Sequence, residues 1–113
     1  MFNEEYHIQT ALIHWLRLVR PEVLFTIAPN GMKLPIGVAK KIKAMGYNKG
    51  CPDIMIFEAK KNYCGLFIEL KTKTGKIQTE QKVWLDQLSR RGYKAIVCRS
   101  CEEAIVAIND YMK

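Results

Sequence analysis

The sequence predicts a mixed α/β domain, and three observations carry that prediction. Two hydrophobic periods alternate along the chain, 3.6 residues in some segments and 2 in others. Those segments follow in the order α, β, short α, β, β, α, β, α, so strands and helices are interleaved. The third observation is composition: of 113 residues, 49% are hydrophobic and 10% aromatic, enough to fill one core. There is no internal repeat, low-complexity tract or linker, so residues 1–113 read as one domain.

Each element has its own warrant. Residues 4 to about 19 place Ile8, Leu12, Trp15, Leu16 and Val19 on one helical stripe, with Asn3 as the N-cap and Pro21 beyond the end. Val23 to Ala28 is apolar and suits a strand, and Pro29-Asn30-Gly31 is a turn signal. Residues 36 to 45 read as a short basic helix stopped by Gly46. Asp53 to Phe57 is nearly continuous apolar chain, as in a strand covered on both faces. The segment after it turns the chain back into Leu66 to Lys71, which predicts an antiparallel pair. Thr79 can cap a helix carrying Trp84, Leu85 and Leu88, closed by Gly92. Tyr93 to Cys98 is a further strand. Ser100 and Glu103 have capping-box spacing ahead of a last helix with Ala104, Ile105 and Ile108 inward.

The charge balance, 18 basic against 11 acidic residues and a net +7, favours an anionic partner, nucleic acid before an anionic membrane. No apolar run is long enough to span a bilayer, and the acidic, polar start of the chain does not resemble a secretory signal. The expected location is intracellular, with Cys51, Cys64, Cys98 and Cys101 as reduced thiols.

Four polar side chains sit on elements that otherwise face inward. Glu5 falls within the stripe of the first helix, Asp53 opens the most apolar strand, Glu69 alternates with Leu66, Ile68 and Leu70 on the strand face that begins apolar at Phe67, and Gln81 precedes Trp84 and Leu85. Each has a plain structural reading. Glu5 can offset a helix dipole, Asp53 can be a turn residue, Glu69 with Lys71 can be a solvated cross-strand charge pair, and Gln81 suits a helix start. Together they describe a site. A hairpin can set Asp53 beside Glu69, and two adjacent carboxylates repel unless a cation lies between them. Oxygen ligands suit Mg²⁺ or Mn²⁺ over zinc. Lys71, on the same strand face as Glu69, would then orient a water or stabilise charge on a phosphate oxygen, which is the equipment of a nuclease.

These residues also carry a resemblance. Pro52-Asp53, fifteen further residues, then Glu69-Leu70-Lys71 resembles the PD-(D/E)XK motif of a nuclease superfamily. Glu5 four residues before Gln9, Pro29-Asn30-Gly31, Gly50-Cys51-Pro52-Asp53, Phe67 to Lys71, Gly75, Gln81, Trp84-Leu85 and Gly92 are similar to one branch of it, the virus-type replication-repair nuclease (VRR-NUC) domain, from about residue 4 to residue 112. The resemblance implies a restriction-endonuclease-like fold, a mixed central sheet flanked by helices, and Mg²⁺-dependent phosphodiester hydrolysis with Mn²⁺ able to substitute. It implies Asp53, Glu69 and the main-chain carbonyl of Leu70 as metal ligands, and Glu5 as a ligand directly or through water. Lys71 would act on the nucleophile or phosphate, and Gln81 would support the site. Cys51 stands in a variable slot with no assigned role. Stand-alone members resemble Holliday-junction resolvases, which implies a homodimer acting on branched DNA. Asn30, Lys33, Lys40, Lys41, Lys43, Lys49, Lys73 and Lys76 are the expected nucleic-acid-binding residues.

Other signals point elsewhere. Cys98 and Cys101 form a CxxC, but zinc needs two more ligands and no second pair exists. His7 and His14 read as surface or interface groups, and Trp15 and Trp84 as core. The rival readings are a less selective endonuclease or exonuclease with the same centre, and a non-catalytic DNA-binding module. A degenerate module should have lost Asp53, Glu69 or Lys71, and all three are present.

Overall fold

The computed structural model describes residues 3–113. Eight elements follow the expected order: α1 (Glu4–Val19), β1 (Phe25–Ile27), α2 (Ile36–Ala44), β2 (Ile54–Ile56), β3 (Leu66–Leu70), α3 (Thr79–Arg90), β4 (Lys94–Cys98) and α4 (Cys101–Met112). The strands form one sheet in the order β1-β2-β3-β4. β1 and β3 both run antiparallel to β2, with Ile54 opposite Ile68 and Ile56 opposite Leu66. β4 is parallel to β3, with Glu69 opposite Val97; a parallel step needs a crossover, and α3 supplies it. The β2–β3 hairpin turns at Lys61 and Asn62, both in the left-handed region (φ 53° and 68°), the backbone of a primed turn that matches strand twist.

Side chains at alternate positions divide the sheet into two faces. Leu66, Ile68 and Leu70 of β3 enter the main core with Leu12 and Leu16 of α1, Ile54 and Ile56 of β2, and Ala104, Ile108 and Tyr111 of α4. Phe67 faces the other way, edge-on to Phe57 and Tyr93. Every residue of β3 is buried, so its polar position is not the solvated charge face that the sequence allowed. The Tyr111 hydroxyl donates to the Glu58 carbonyl at 2.6 Å, tying α4 to the chain leaving β2.

The caps follow the sequence with one shift. Asn3 accepts from the Tyr6 N–H at 2.8 Å, and Ser100 accepts from the Glu103 N–H at 3.0 Å, each satisfying a helix-start donor. The N-cap of α3 is Gln78, not Thr79. The Gln78 N–H donates to the side-chain oxygen of Gln81 at 2.8 Å, an interaction that a hydroxyl-based reading does not anticipate. Strands β1, β2 and β4 are shorter at their ends than their apolar runs, and Trp84 is half-buried beside a surface depression with Val83 and Gln87 rather than in the core. α2 stands apart: none of its residues is buried, and Ile36 and Val38 are exposed.

Candidate active site

The chain ends of β2 and β3, the first turn of α1 and the first turn of α3 surround one cleft. Its volume is about 670 Å³, and Glu5, Asn30, Lys33, Asp53, Glu69, Leu70 and Gln81 contribute to its walls. The β2–β3 register explains why two carboxylates meet there. Ile54 pairs with Ile68, so Asp53, one residue before Ile54, lies beside Glu69, one residue after Ile68. Both are buried, at 7% and 2% exposure.

Asp53 is held at each oxygen. Oδ2 accepts from the Leu70 N–H at 2.8 Å and Oδ1 from the Asn30 side-chain amide at 3.0 Å. Glu69 is held at one oxygen only: Oε2 accepts from Gln81 Nε2 at 3.1 Å, while Oε1 is buried with no partner. Burial foremost, then the Asp53 charge and the hydrogen bond that a protonated Glu69 gains with Asp53, push the Glu69 carboxyl up to about 9; Lys71 pulls it down and Glu5 adds a smaller upward push. A carboxyl so placed is neutral at pH 7 unless a cation compensates it. Lys71, one residue beyond β3, is buried (6% exposed) and near enough to Glu69 to pull its carboxyl down, and continued strand alternation assigns it to the Glu69 face.

An orphaned buried carboxylate oxygen next to a second carboxylate is what a divalent cation would complete. The residues therefore fit the hard-oxygen set expected for Mg²⁺ or Mn²⁺. Among the described residues no group of three or more His, Cys, Asp and Glu converges as a metal site. Glu5 lines the cleft but does not close such a cluster with Asp53 and Glu69.

Surrounding residues hold this geometry. At Gly50 (φ 101°) an added Cβ would lie 2.7 Å from the Glu80 backbone, so only glycine lets the chain before Asp53 press against the start of α3, where Gln81 is. The Arg99 guanidinium donates to the carbonyls of Thr72 and Gly75, each at 2.8 Å, tying down the turn that leaves Lys71. The sequence does not single out Arg99, because its partners are main-chain atoms more than twenty residues away. Asn30, one of the expected nucleic-acid-binding residues, is half-buried in the cleft wall: its amide nitrogen donates to Asp53 and to the Cys51 carbonyl, and its oxygen accepts from the Tyr47 hydroxyl.

Of the expected basic residues, one is at the cleft and the others are on the outer surface. Lys33 lines the cleft, Lys40, Lys41 and Lys43 are exposed on α2, and Lys73 and Lys76 are exposed on the turn after Lys71. Lys49 is also exposed but lies 3.7 Å from Glu80, an ion pair of the weak surface type. The four cysteines are free thiols. Burial raises Cys98 to about 12 and also raises Cys101, the opposite of an activated redox pair.

Comparison with known proteins gives the family and the fold. The family model of the VRR-NUC domain matches residues 3–102. A solved structure described as a VRR_NUC domain protein superposes with a TM-score of 0.82 at 26% identity, covering 99% of this chain and 90% of that one. No curated protein matches the chain.

Proposed function

The chain belongs to the VRR-NUC domain family, a nuclease family, and from that premise we propose that it is a Mg²⁺-dependent endonuclease that hydrolyses phosphodiesters in branched DNA. The observation that carries the catalytic reading is the buried pair of Asp53 and Glu69, with Glu69 Oε1 unpartnered and Lys71 on the same strand face. Asp53, Glu69 and the Leu70 carbonyl are the proposed ligands, with Glu5 acting through water at the cleft wall. When bound, Mg²⁺ or Mn²⁺ supplies Lewis-acid polarisation and a more acidic water.

The protein's own groups do the rest. Gln81 orients Glu69 by donating to Oε2, and it is itself oriented by the Gln78 N–H. Asn30 and the Leu70 N–H hold the two Asp53 oxygens in place by donating to them. Lys71, shielded from bulk water, places a positive charge where a phosphate oxygen develops negative charge, or orients the attacking water. Lys33, Lys40, Lys41, Lys43, Lys73 and Lys76 supply sequence-independent phosphate contacts.

A homodimer fits the exposed apolar surface. Ile36 and Met45, at the two ends of α2, are 76% and 86% exposed, and a groove of about 750 Å³ lined in part by Ile13, Phe25, Ile27 and Met32 lies between α1 and β1. Covering such surface with a second copy would give two symmetric centres for two strands of a junction.

The test is cleavage of end-labelled four-way junction, flap and linear duplex with Mg²⁺, Mn²⁺ or EDTA. Paired, symmetric nicks in the junction support the branched-DNA reading. Equal cutting of all three leaves a nuclease without structure selectivity. Binding with no cleavage in any metal would replace the enzyme by a DNA-binding module.

A further inference from the structure

We propose that Tyr47 is a positioning residue for Asp53, acting through Asn30: its hydroxyl anchors the oxygen end of the Asn30 amide, and that amide holds the Asp53 carboxylate ready for a divalent cation. This rests on the nuclease reading above and concerns how the same site is kept in order.

The two ends of the Asn30 amide face different partners. One end faces the Cys51 carbonyl at 2.6 Å and Asp53 Oδ1 at 3.0 Å. Both of those partners are acceptors, so the NH₂ group must occupy that end. The oxygen is left at the other end, where the Tyr47 hydroxyl donates to it. A carboxamide can rotate by half a turn at small steric cost, so its setting depends on such partners. Rotated, Asn30 would place an acceptor against two acceptors and leave the half-buried Tyr47 hydroxyl facing NH₂. The two acceptors decide which end carries the NH₂ group, and Tyr47, whose hydroxyl can donate or accept, anchors the amide in that setting by donating to its oxygen. With the Leu70 N–H on Oδ2, each Asp53 oxygen then has one internal donor and retains lone-pair capacity toward the cleft.

The place of the pair in the chain points the same way. Asn30 and Tyr47 lie at the two ends of the excursion that carries α2, none of whose residues is buried. Their hydrogen bond closes the base of that excursion on the carboxylate itself. A group that ties down a ligand in this way typically changes metal affinity or activity by tenfold or more when it is removed.

The experiment compares wild-type protein, Tyr47→Phe, Asn30→Ala and the double variant. Mn²⁺ affinity is measured by calorimetry, with the melting temperature of the metal-free protein and single-turnover DNA cleavage across a Mn²⁺ titration. Tyr47→Phe is expected to weaken Mn²⁺ about tenfold, to slow cleavage at limiting Mn²⁺, and to recover the wild-type rate at excess Mn²⁺, with melting unchanged. Asn30→Ala should lose at least as much, and adding Tyr47→Phe to it should cost nothing further, because the two act in one chain. Unchanged Mn²⁺ affinity in Tyr47→Phe, or losses that simply add in the double variant, would overturn the inference while leaving the nuclease intact. Wild-type protein that neither binds Mn²⁺ nor cleaves DNA would overturn the nuclease reading and this inference with it.

Discussion

At the scale of single residues, Glu69 concentrates the chemistry of the site. Its carboxyl is lifted from about 4.5 to about 9, chiefly by burial and then by Asp53, so the folded, metal-free protein holds a proton there that the unfolded chain has released. Between those two values the native state binds more protons than the unfolded state. Stability of the metal-free protein should therefore fall as pH rises from about 5 to 9, which thermal melting in EDTA would record. Mn²⁺ should bind more tightly over the same rise and release a proton, because the ligand must be ionised. Glu69→Gln keeps the shape and removes the titration: the variant should melt with a flatter pH dependence, gain no stability from Mn²⁺, and lose cleavage by at least a hundredfold. Asp53, Glu69 and Gln81 are legible in the sequence because each is a polar group on an element that otherwise faces inward, and Lys71 because it shares a strand face with Glu69. The partnership of Asn30 and Tyr47 is not legible there. It is a chain of side-chain hydrogen bonds spanning 17 and 23 residues of sequence, and no local pattern encodes such a separation.

At the scale of elements, the cleft exists because β2 and β3 share a fixed register and because α3 begins against the loop before Asp53. Gly50 permits that approach, so Gly50→Ala should cost about 1–3 kcal/mol through its left-handed φ and the collision with Glu80. The same change should displace Gln81 and lower the cleavage rate more than a surface variant of equal stability, a comparison that denaturant titration and single-turnover kinetics make together. Periodicity and turn residues suffice for the order of all eight elements. They misplace the cap of α3 by one residue because Gln78 caps it through its main chain and Gln81, without a hydroxyl. Burial of β3 on both faces is only half readable: alternation shows one apolar face, whereas the cover over Glu69 comes from α3, distant in sequence. The basic character of α2 is plain in the sequence, and its lack of internal packing emerges only in three dimensions.

At the scale of the whole molecule, a net charge of +7 and exposed lysines at the cleft wall, on α2 and on the turn after Lys71 predict binding driven by counterion release. Replacing Lys40, Lys41 and Lys43 with Gln should reduce the slope of log K against log salt by about 0.9 for each phosphate no longer neutralised, measured by fluorescence anisotropy in Ca²⁺. Ile36→Glu with Met45→Glu should convert a dimer into a monomer in light scattering, since these residues are exposed at the ends of a helix that packs little on its own chain. Everything proposed for this molecule depends on Asp53, Glu69 and Lys71 forming a metal-dependent hydrolytic centre. Single-turnover cleavage of a labelled four-way junction by wild-type and Lys71→Ala protein, with Mg²⁺ and with EDTA, beside their DNA affinity in Ca²⁺, tests that centre without intermediaries. Such a centre requires cleavage by wild type in Mg²⁺, none in EDTA, and a loss of at least a hundredfold in Lys71→Ala with affinity nearly unchanged. Undiminished cleavage in EDTA, or by Lys71→Ala, would refute it.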